Sequence, residues 1–348
     1  MSADNKTSGD QWADPEGDAL RDMLAERAFD ADNPPPQPVP VIKLGGKCIA
    51  TVGNLMAVQA GIKSGKTATV GAIIAAFVIG DGSGEHDTLG FTAANPEGHA
   101  VLHFDTEQSR YDHDGVIRRA LARVGMSDPP DWFQSFCLTD LSQHDRLRAI
   151  DAKIEDALAD FGGVRAVILD GVADFMRDPN DAEEAFALVG ELHALAITHG
   201  CIITCVIHEN PGTDKTRGHL GSQLARKAET NLRLHKDPSN GISTIWADFA
   251  RHCHIPKDAG TCFAWCDMLG RHVSKGTAGA IKAGIKTEKF REEAEKAFGD
   301  EDVLSYSALV KAIVTAVEIT IKTAEKRVTT YQAEGIVRKD ASGSYRLK

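Results

Sequence analysis

Residues 60–67 read AGIKSGKT. The phosphate-binding loop pattern is G-x-x-x-x-G-K-[ST], and this run meets it at every position but the first, where Ala60 stands in place of Gly. Such a loop works through its backbone. N–H groups of a glycine-rich turn surround phosphate oxygens at a helix N-terminus, the lysine reaches the β- and γ-phosphates, and the hydroxyl holds Mg²⁺. The chemistry therefore needs strand, loop and helix in that order. LMAVQ (55–59) precedes the run as an apolar strand, and KTATVGAIIAAFVIG (66–80) follows it as a long apolar helix. In that setting Gly61, Ser64 and Gly65 form a cradle for ATP, Lys66 reaches the phosphates and Thr67 is a Mg²⁺ ligand. Ala60 falls at the strand exit, where a methyl group is tolerated if φ is negative.

Outward from this loop, short β-rich runs alternate with helical patterns. HAVLHFD (99–105), RAVILD (165–170), CIITCVIH (201–208), TNLRLHK (230–236) and STIWADF (243–249) read as strands. Residues 111–125, 144–162 and 181–200 read as helices. Continuous apolar strands alternating with helices predict an α/β fold with a mostly parallel sheet covered on both faces. DPSNG between the last two strands is a hairpin signal. Parallel sheets bind ligands at the carboxyl ends of their strands. There RAVILD ends in Asp170, a second carboxylate for Mg²⁺, acting through water. Just past HAVLHFD lie two acids able to orient an attacking water, Asp105 at the strand end and Glu107 two residues beyond; Glu107 is the favoured one.

The remaining composition bounds the class. At 348 residues the chain has room for one large domain and a smaller one. No apolar run reaches the ~18–20 residues of a membrane span, and the polar, acidic start is no signal peptide, so a cytoplasmic protein without membrane partners is expected. A net charge of −11 argues against a protein that coats nucleic acid over its whole surface. The charge is uneven: the first forty residues carry nine acids against three bases, whereas residues 271–348 carry fifteen bases against eleven acids. A basic tail on an acidic body fits nucleic-acid contact by the tail alone. Seven cysteines are scattered. The pairs Cys201/Cys205 and Cys262/Cys266, with His252, Cys253 and His254 near the second, leave a zinc site conceivable, but buried thiols of a reducing compartment are the simpler reading.

Four segments follow. Residues 1–40 are an acidic strap with one short helix at ALRDMLAERAF and a proline run, NPPPQPVPV, that neither helix nor central strand accepts. Residues 41–269 hold the ATPase core. Residues 270–286, rich in Gly, Ala and Lys, read as a linker. Residues 287–348 read as helix, helix, helix and a two-stranded wing around Asp-Ala-Ser-Gly, a winged-helix domain. Ser305 or Ser307 caps its second helix, and Lys322, Lys326 and Arg327 lie on the third, the helix that would meet DNA.

The order AGIKSGKT, VLHFDTEQS, AVILDG, CVIHEN, RGHLGSQLARKAETNLRL resembles the RecA-like hexameric ATPases, and within them the RepA-like replicative helicases of plasmids and mobile elements, over about residues 40–268. The resemblance implies a DNA-acting ATPase that assembles as a homo-oligomer, a hexamer, with single-stranded DNA in its channel and duplex at the winged helix. It implies Glu107 as the water-orienting residue and His208 as the γ-phosphate sensor. Lys215 and Arg217, in the loop GTDKTRGHLGSQ (212–223), would face DNA. Arg251 would be an arginine finger reaching the neighbouring subunit's nucleotide. Two departures stand out: Ala60, and Phe249 where the family often has Lys. The alternative is an ATP-switched regulator that binds DNA through its winged helix without unwinding it.

Overall fold

The computed structural model describes residues 15–80, 86–209 and 218–348. The chain divides into two units, Met1–Pro38 and Val39–Lys348. In the first, α1 (Pro15–Ala25) is followed by the proline-rich residues 33–38, which have no regular structure, as expected of residues lacking N–H donors.

The second unit is built on a nine-stranded sheet. Its strands are β3 (Asn54–Ala60), β5 (Ala100–Asp105), β6 (Phe133–Cys137), β7 (Val164–Asp170), β8 (Ile202–His208), β9 (Thr230–Lys236), β10 (Ser243–Ala250), β11 (Thr261–Cys266) and β12 (Arg271–Thr277). Their order is β12-β11-β10-β9-β3-β8-β7-β5-β6. The six strands from β9 to β6 run parallel, and β10, β11 and β12 extend the sheet antiparallel. This α/β, mainly parallel architecture is that of a RecA-like P-loop ATPase core. The hairpin between β9 and β10 turns at Asp237–Gly241, where Gly241 N–H donates to the Asp237 carbonyl at 2.9 Å.

Alternation along each strand sorts side chains into two apolar layers. Met56, Val58 and Ala60 of β3 face one layer, and Leu55 and Ala57 face the other. α2 (Lys66–Ile79) and α3 (Arg110–Arg123) cover the first face; α4 (Gln143–Phe161), α5 (Ala182–Thr198) and α6 (Gly218–Lys227) cover the second. α2 is apolar all round because both its sides are covered. Opposite the main sheet it meets a small antiparallel sheet of β1 (Pro40–Leu44), β2 (Lys47–Thr51) and β4 (Phe91–Ala93), whose Ile42, Leu44 and Phe91 share the cluster that holds Phe77.

Two segments differ from expectation. Residues 270–286 are not a linker: they form β12 and the first turns of α7 (Ala278–Phe298). β12 is an edge strand held by its backbone ladder to β11, so no apolar alternation marked it. Thr277 then caps α7, accepting from Ala280 N–H at 3.2 Å. Likewise, residues 218–223, read as the end of a DNA-facing loop, begin α6, whose Leu220 and Leu224 are buried one turn apart.

At the C-terminus α7, α8 (Tyr306–Val317), α9 (Ile321–Ala333) and the antiparallel hairpin β13 (Val337–Lys339) and β14 (Tyr345–Leu347) enclose a core of their own, including Phe290, Leu309, Val328, Tyr331 and Tyr345. The order of elements is the expected one. Ser305 caps α8, accepting from Ala308 N–H at 3.3 Å. Among the described residues no helix is long and apolar enough to cross a membrane.

Candidate functional site

The site forms at the carboxyl ends of β3, β5, β7 and β8. β3 ends at Ala60, fully buried and in register with His208 of β8, with no left-handed φ, so the methyl group is accommodated as expected. The loop then turns through Lys63 at φ 59° and Gly65 at φ 103°, on either side of the buried Ser64. Left-handed residues at close spacing turn successive N–H groups to one side, the geometry of an anion nest. At Gly65 only glycine serves, since a Cβ there would also lie 2.7 Å from the Phe263 ring. α2 begins at Lys66 with no side-chain cap and no acid in its first turn. Its leading N–H groups and positive dipole end are therefore directed at whatever the loop holds.

Three strand-end side chains converge on that point. Lys66 Nζ lies 3.5 Å from Glu107 Oε1 and in contact with His208 Nε2, and His208 Nε2 lies 3.1 Å from the same Glu107 oxygen. Asp170, 2% exposed, sits at the end of β7 in register with Asp105. The electrostatics follow from crowding. Burial, then the charges of Asp105 and Glu107, push the Asp170 carboxyl up to about 7, against the pull of Lys66. Burial lowers the Lys66 ammonium, with Glu107 and Asp170 opposing. At Glu107 burial acts to raise the carboxyl, but the His208 hydrogen bond and the Lys66 charge together hold it below the usual range.

Asp105, the competing acid, is buried and turned away into hydrogen bonds. Its Oδ1 accepts from the Glu107 and Gln108 N–H groups at 2.9 and 3.0 Å, and its Oδ2 faces His113 Nδ1 at 3.0 Å. Glu107 is the acid left facing Lys66. Two neighbours that sequence reasoning passed over hold it there. Thr106 Oγ1 lies 3.1 Å from both the Asp170 and Gly171 carbonyl oxygens and 2.9 Å from Asp174 Oδ2, three acceptors for its one proton, tying the Glu107 turn to the end of β7. Gly171, at φ 97°, leaves room for it: a Cβ would meet Thr106 Oγ1 at 2.2 Å and Glu107 Cγ at 2.9 Å. The only sequence signal for either was position, a Thr and a Gly immediately after strand-end acids.

Mg²⁺ usually keeps several waters and takes one or two protein ligands with substrate phosphates. The Thr67 hydroxyl and the Asp170 carboxylate, buried and ill-balanced in charge, fit that donor set. Beyond Thr67 opens a cavity of about 240 Å³ lined by Gly71, Arg119, Arg123, Trp265 and His272. It brings the Arg119 and Arg123 guanidinium groups and the Trp265 indole to one cavity next to Thr67.

The other expected residues lie elsewhere. Arg251 follows β10, which runs antiparallel to β9, so it stands at the end of the sheet opposite its own Lys66; its guanidinium donates to the Lys227 carbonyl at 3.1 Å. Phe249 is 66% exposed beside it. Lys215 and Arg217 lie outside the described residues. Lys322 and Lys326 are exposed on α9, but Arg327 is not free to meet DNA. Its Nε lies 3.1 Å from Glu293 and its guanidinium 4.2 Å above the Phe290 ring, because its position on α9 faces α7. Cys201 and Cys205 are buried thiols, both pushed up to about 12 by burial. Among the described residues no group of three or more His, Cys, Asp or Glu side chains is placed to hold a metal.

A family model described as an AAA domain matches residues 19–214, more than half the chain. The matched span contains the phosphate loop, Glu107, Asp170 and His208; it stops short of Arg251 and the C-terminal helices. No curated protein matches the chain.

Proposed function

The chain belongs to the AAA domain family of P-loop ATPases, and from that premise we propose that it is an ATP-hydrolysing ring ATPase acting on DNA, a helicase-like motor of a mobile element, plasmid or phage. The observation that carries the hydrolytic part is the Lys66–Glu107–His208 triangle in front of the uncapped end of α2.

In this reading Lys66 is held by Glu107 and His208 until phosphate oxygens enter the nest. The ammonium then turns to the β- and γ-phosphates, and Glu107 is released to orient a water. That water attacks the γ-phosphorus as the bond to the β–γ bridging oxygen breaks. Glu107 draws the water's proton, and His208 contacts the departing phosphate. Thr67 and Asp170 would hold Mg²⁺, which when bound neutralises charge on the phosphate oxygens. The nucleoside would enter the cavity beyond Thr67, with its base against Trp265.

The DNA-acting part rests on Lys322 and Lys326, exposed on the third helix of a three-helix and hairpin module, together with the resemblance already described. Arg251, at the sheet end remote from its own Lys66, suits action on a neighbouring copy. One observation favours the switch reading instead: at position 249 an exposed Phe stands where the resemblance expects Lys.

The test is the ATPase rate without DNA, with single-stranded DNA and with duplex, for wild type and Lys66→Ala. A rate raised severalfold by single strands and abolished in Lys66→Ala supports the motor. Slow hydrolysis indifferent to single strands, with tight duplex binding, supports the switch and ends the helicase reading.

A further inference from the structure

Behind Glu107 runs a chain of polar groups that the hydrolytic mechanism does not use. Asp105 is fully buried, and each of its oxygens is engaged. An ionised carboxylate only accepts, so His113 Nδ1 must be the donor at 3.0 Å. On its far side His113 Nε2 lies 3.1 Å from Ser135 Oγ, which in turn lies 2.8 Å from His103 Nδ1. The two imidazoles stack with centroids 5.6 Å apart and planes within 2°. Burial lowers His103 to about 4, so it is neutral under ordinary conditions. At the far end, Asp105 Oδ1 receives the N–H groups of Glu107 and Gln108.

We propose that Asp105 and His113 are positioning residues for hydrolysis: His113 locks the rotamer in which the Asp105 carboxylate anchors the backbone of Glu107. The proposal rests on the reading of Glu107 as the water-orienting residue. The turn is clamped from both sides, by Thr106 Oγ1 against the Asp170 carbonyl at the end of β7 and by Thr139 Oγ1, which donates to the Gln108 carbonyl at 2.6 Å. Neither clamp reaches the Glu107 N–H. That N–H is held by Asp105, and Asp105 is held by His113. Without His113 the carboxylate loses the donor on one oxygen while remaining buried in register with Asp170, and repulsion between the two acids favours a different rotamer. Glu107 would then move relative to Lys66, and displacements on the order of 1 Å at a catalytic group cost about 100-fold in rate.

Two substitutions separate this role from simple packing. His113→Phe keeps a stacked ring but has no donor. His113→Asn loses the ring but places an amide N–H close to where Nδ1 stood. The expected result is a kcat lowered by about 10–100-fold in His113→Phe with KM for ATP changed by less than about threefold, and kcat largely retained in His113→Asn. Hydrogen exchange at the Glu107 and Gln108 amides, measured without nucleotide, should quicken in His113→Phe and stay slow in His113→Asn. A His113→Phe protein with wild-type kcat and slow exchange would overturn the proposal, as would equal losses in both variants. The exchange arm reads the anchor without any turnover. If the wild type does not hydrolyse ATP while the exchange contrast holds, the hydrolytic reading fails and the anchor stands; if the wild type hydrolyses but the contrast is missing, the reverse is true.

Discussion

Lys66 is the residue on which most of the chemistry depends. It is buried among Glu107, Asp170 and His208 and is exchanged between protein and phosphate partners in the proposed cycle. Lys66→Ala should abolish nucleotide hydrolysis, and a fluorescent ATP analogue should detect weaker binding. Glu107→Gln should behave differently, keeping nucleotide affinity while kcat falls by about 100-fold or more, as for loss of a general base. Asp170 makes a pH prediction. Its carboxyl is raised to about 7 from 3.8, so between those values the folded protein holds a proton that the unfolded chain does not. Stability from this group is therefore lost as pH rises from about 4 through about 7, by on the order of a few kcal/mol. The thermal midpoint of the nucleotide-free protein should fall across that window, and Asp170→Asn should flatten the fall. A slope unchanged in Asp170→Asn would mean that another group carries it.

At the scale of elements, the site depends on strand ends being held together. The β7 turn is the sharpest case. Gly171 admits Thr106 and Glu107 into the space a Cβ would fill, at a φ that side chains avoid. Gly171→Ala should therefore cost about 1–3 kcal/mol in stability from backbone strain, with an additional loss in kcat as Glu107 is pushed aside. Chemical denaturation and steady-state kinetics on the same preparation would check both. Beyond the loop, β8 is linked sideways: Arg233 of β9 pairs with Glu209, the residue after His208, at 3.1 Å and with Asp248 of β10 at 3.5 Å. These ion pairs join the nucleotide end of β8 to the strand that leads into Arg251.

Over the whole molecule, the separation of Arg251 from its own Lys66 gives the resemblance a testable form. Arg251→Ala alone should lower the ATPase rate by about 10³ if it acts as a finger. Mixing it with Lys66→Ala should restore activity, because each variant lacks what the other supplies to a neighbour. A mixture as inactive as its parts would rule out action between copies. At the C-terminal module, Lys322→Ala with Lys326→Ala should weaken duplex binding and lower the salt dependence by about one to two ion equivalents. Fluorescence anisotropy over a salt series reads both; unchanged affinity would assign the module to protein contact instead.

Much of this was legible along the chain. The strand–loop–helix around AGIKSGKT, the acids ending 99–105 and 165–170, and His208 are local facts, because a parallel strand with both faces buried writes a continuous apolar run and its polar end residue marks the ligand edge. What stayed hidden was held by backbone pairing or by side chains distant in sequence. β12 is an edge strand whose residues carry no apolar alternation, so residues 270–286 looked like a linker. The amphipathic spacing of α6 was masked by its Gly, Ser and Gln. Arg327 looked like a DNA contact until α7 supplied Glu293 and Phe290. The sequence by itself determined that a phosphate loop and strand-end acids lie at one edge of the sheet, since each is a residue type at a fixed offset from a strand. Only the tertiary structure decided which of Asp105 and Glu107 faces Lys66. Asp105 ends the strand and Glu107 follows two residues later, and their orientations depend on where His113, Thr106 and Gly171 arrive from the rest of the fold.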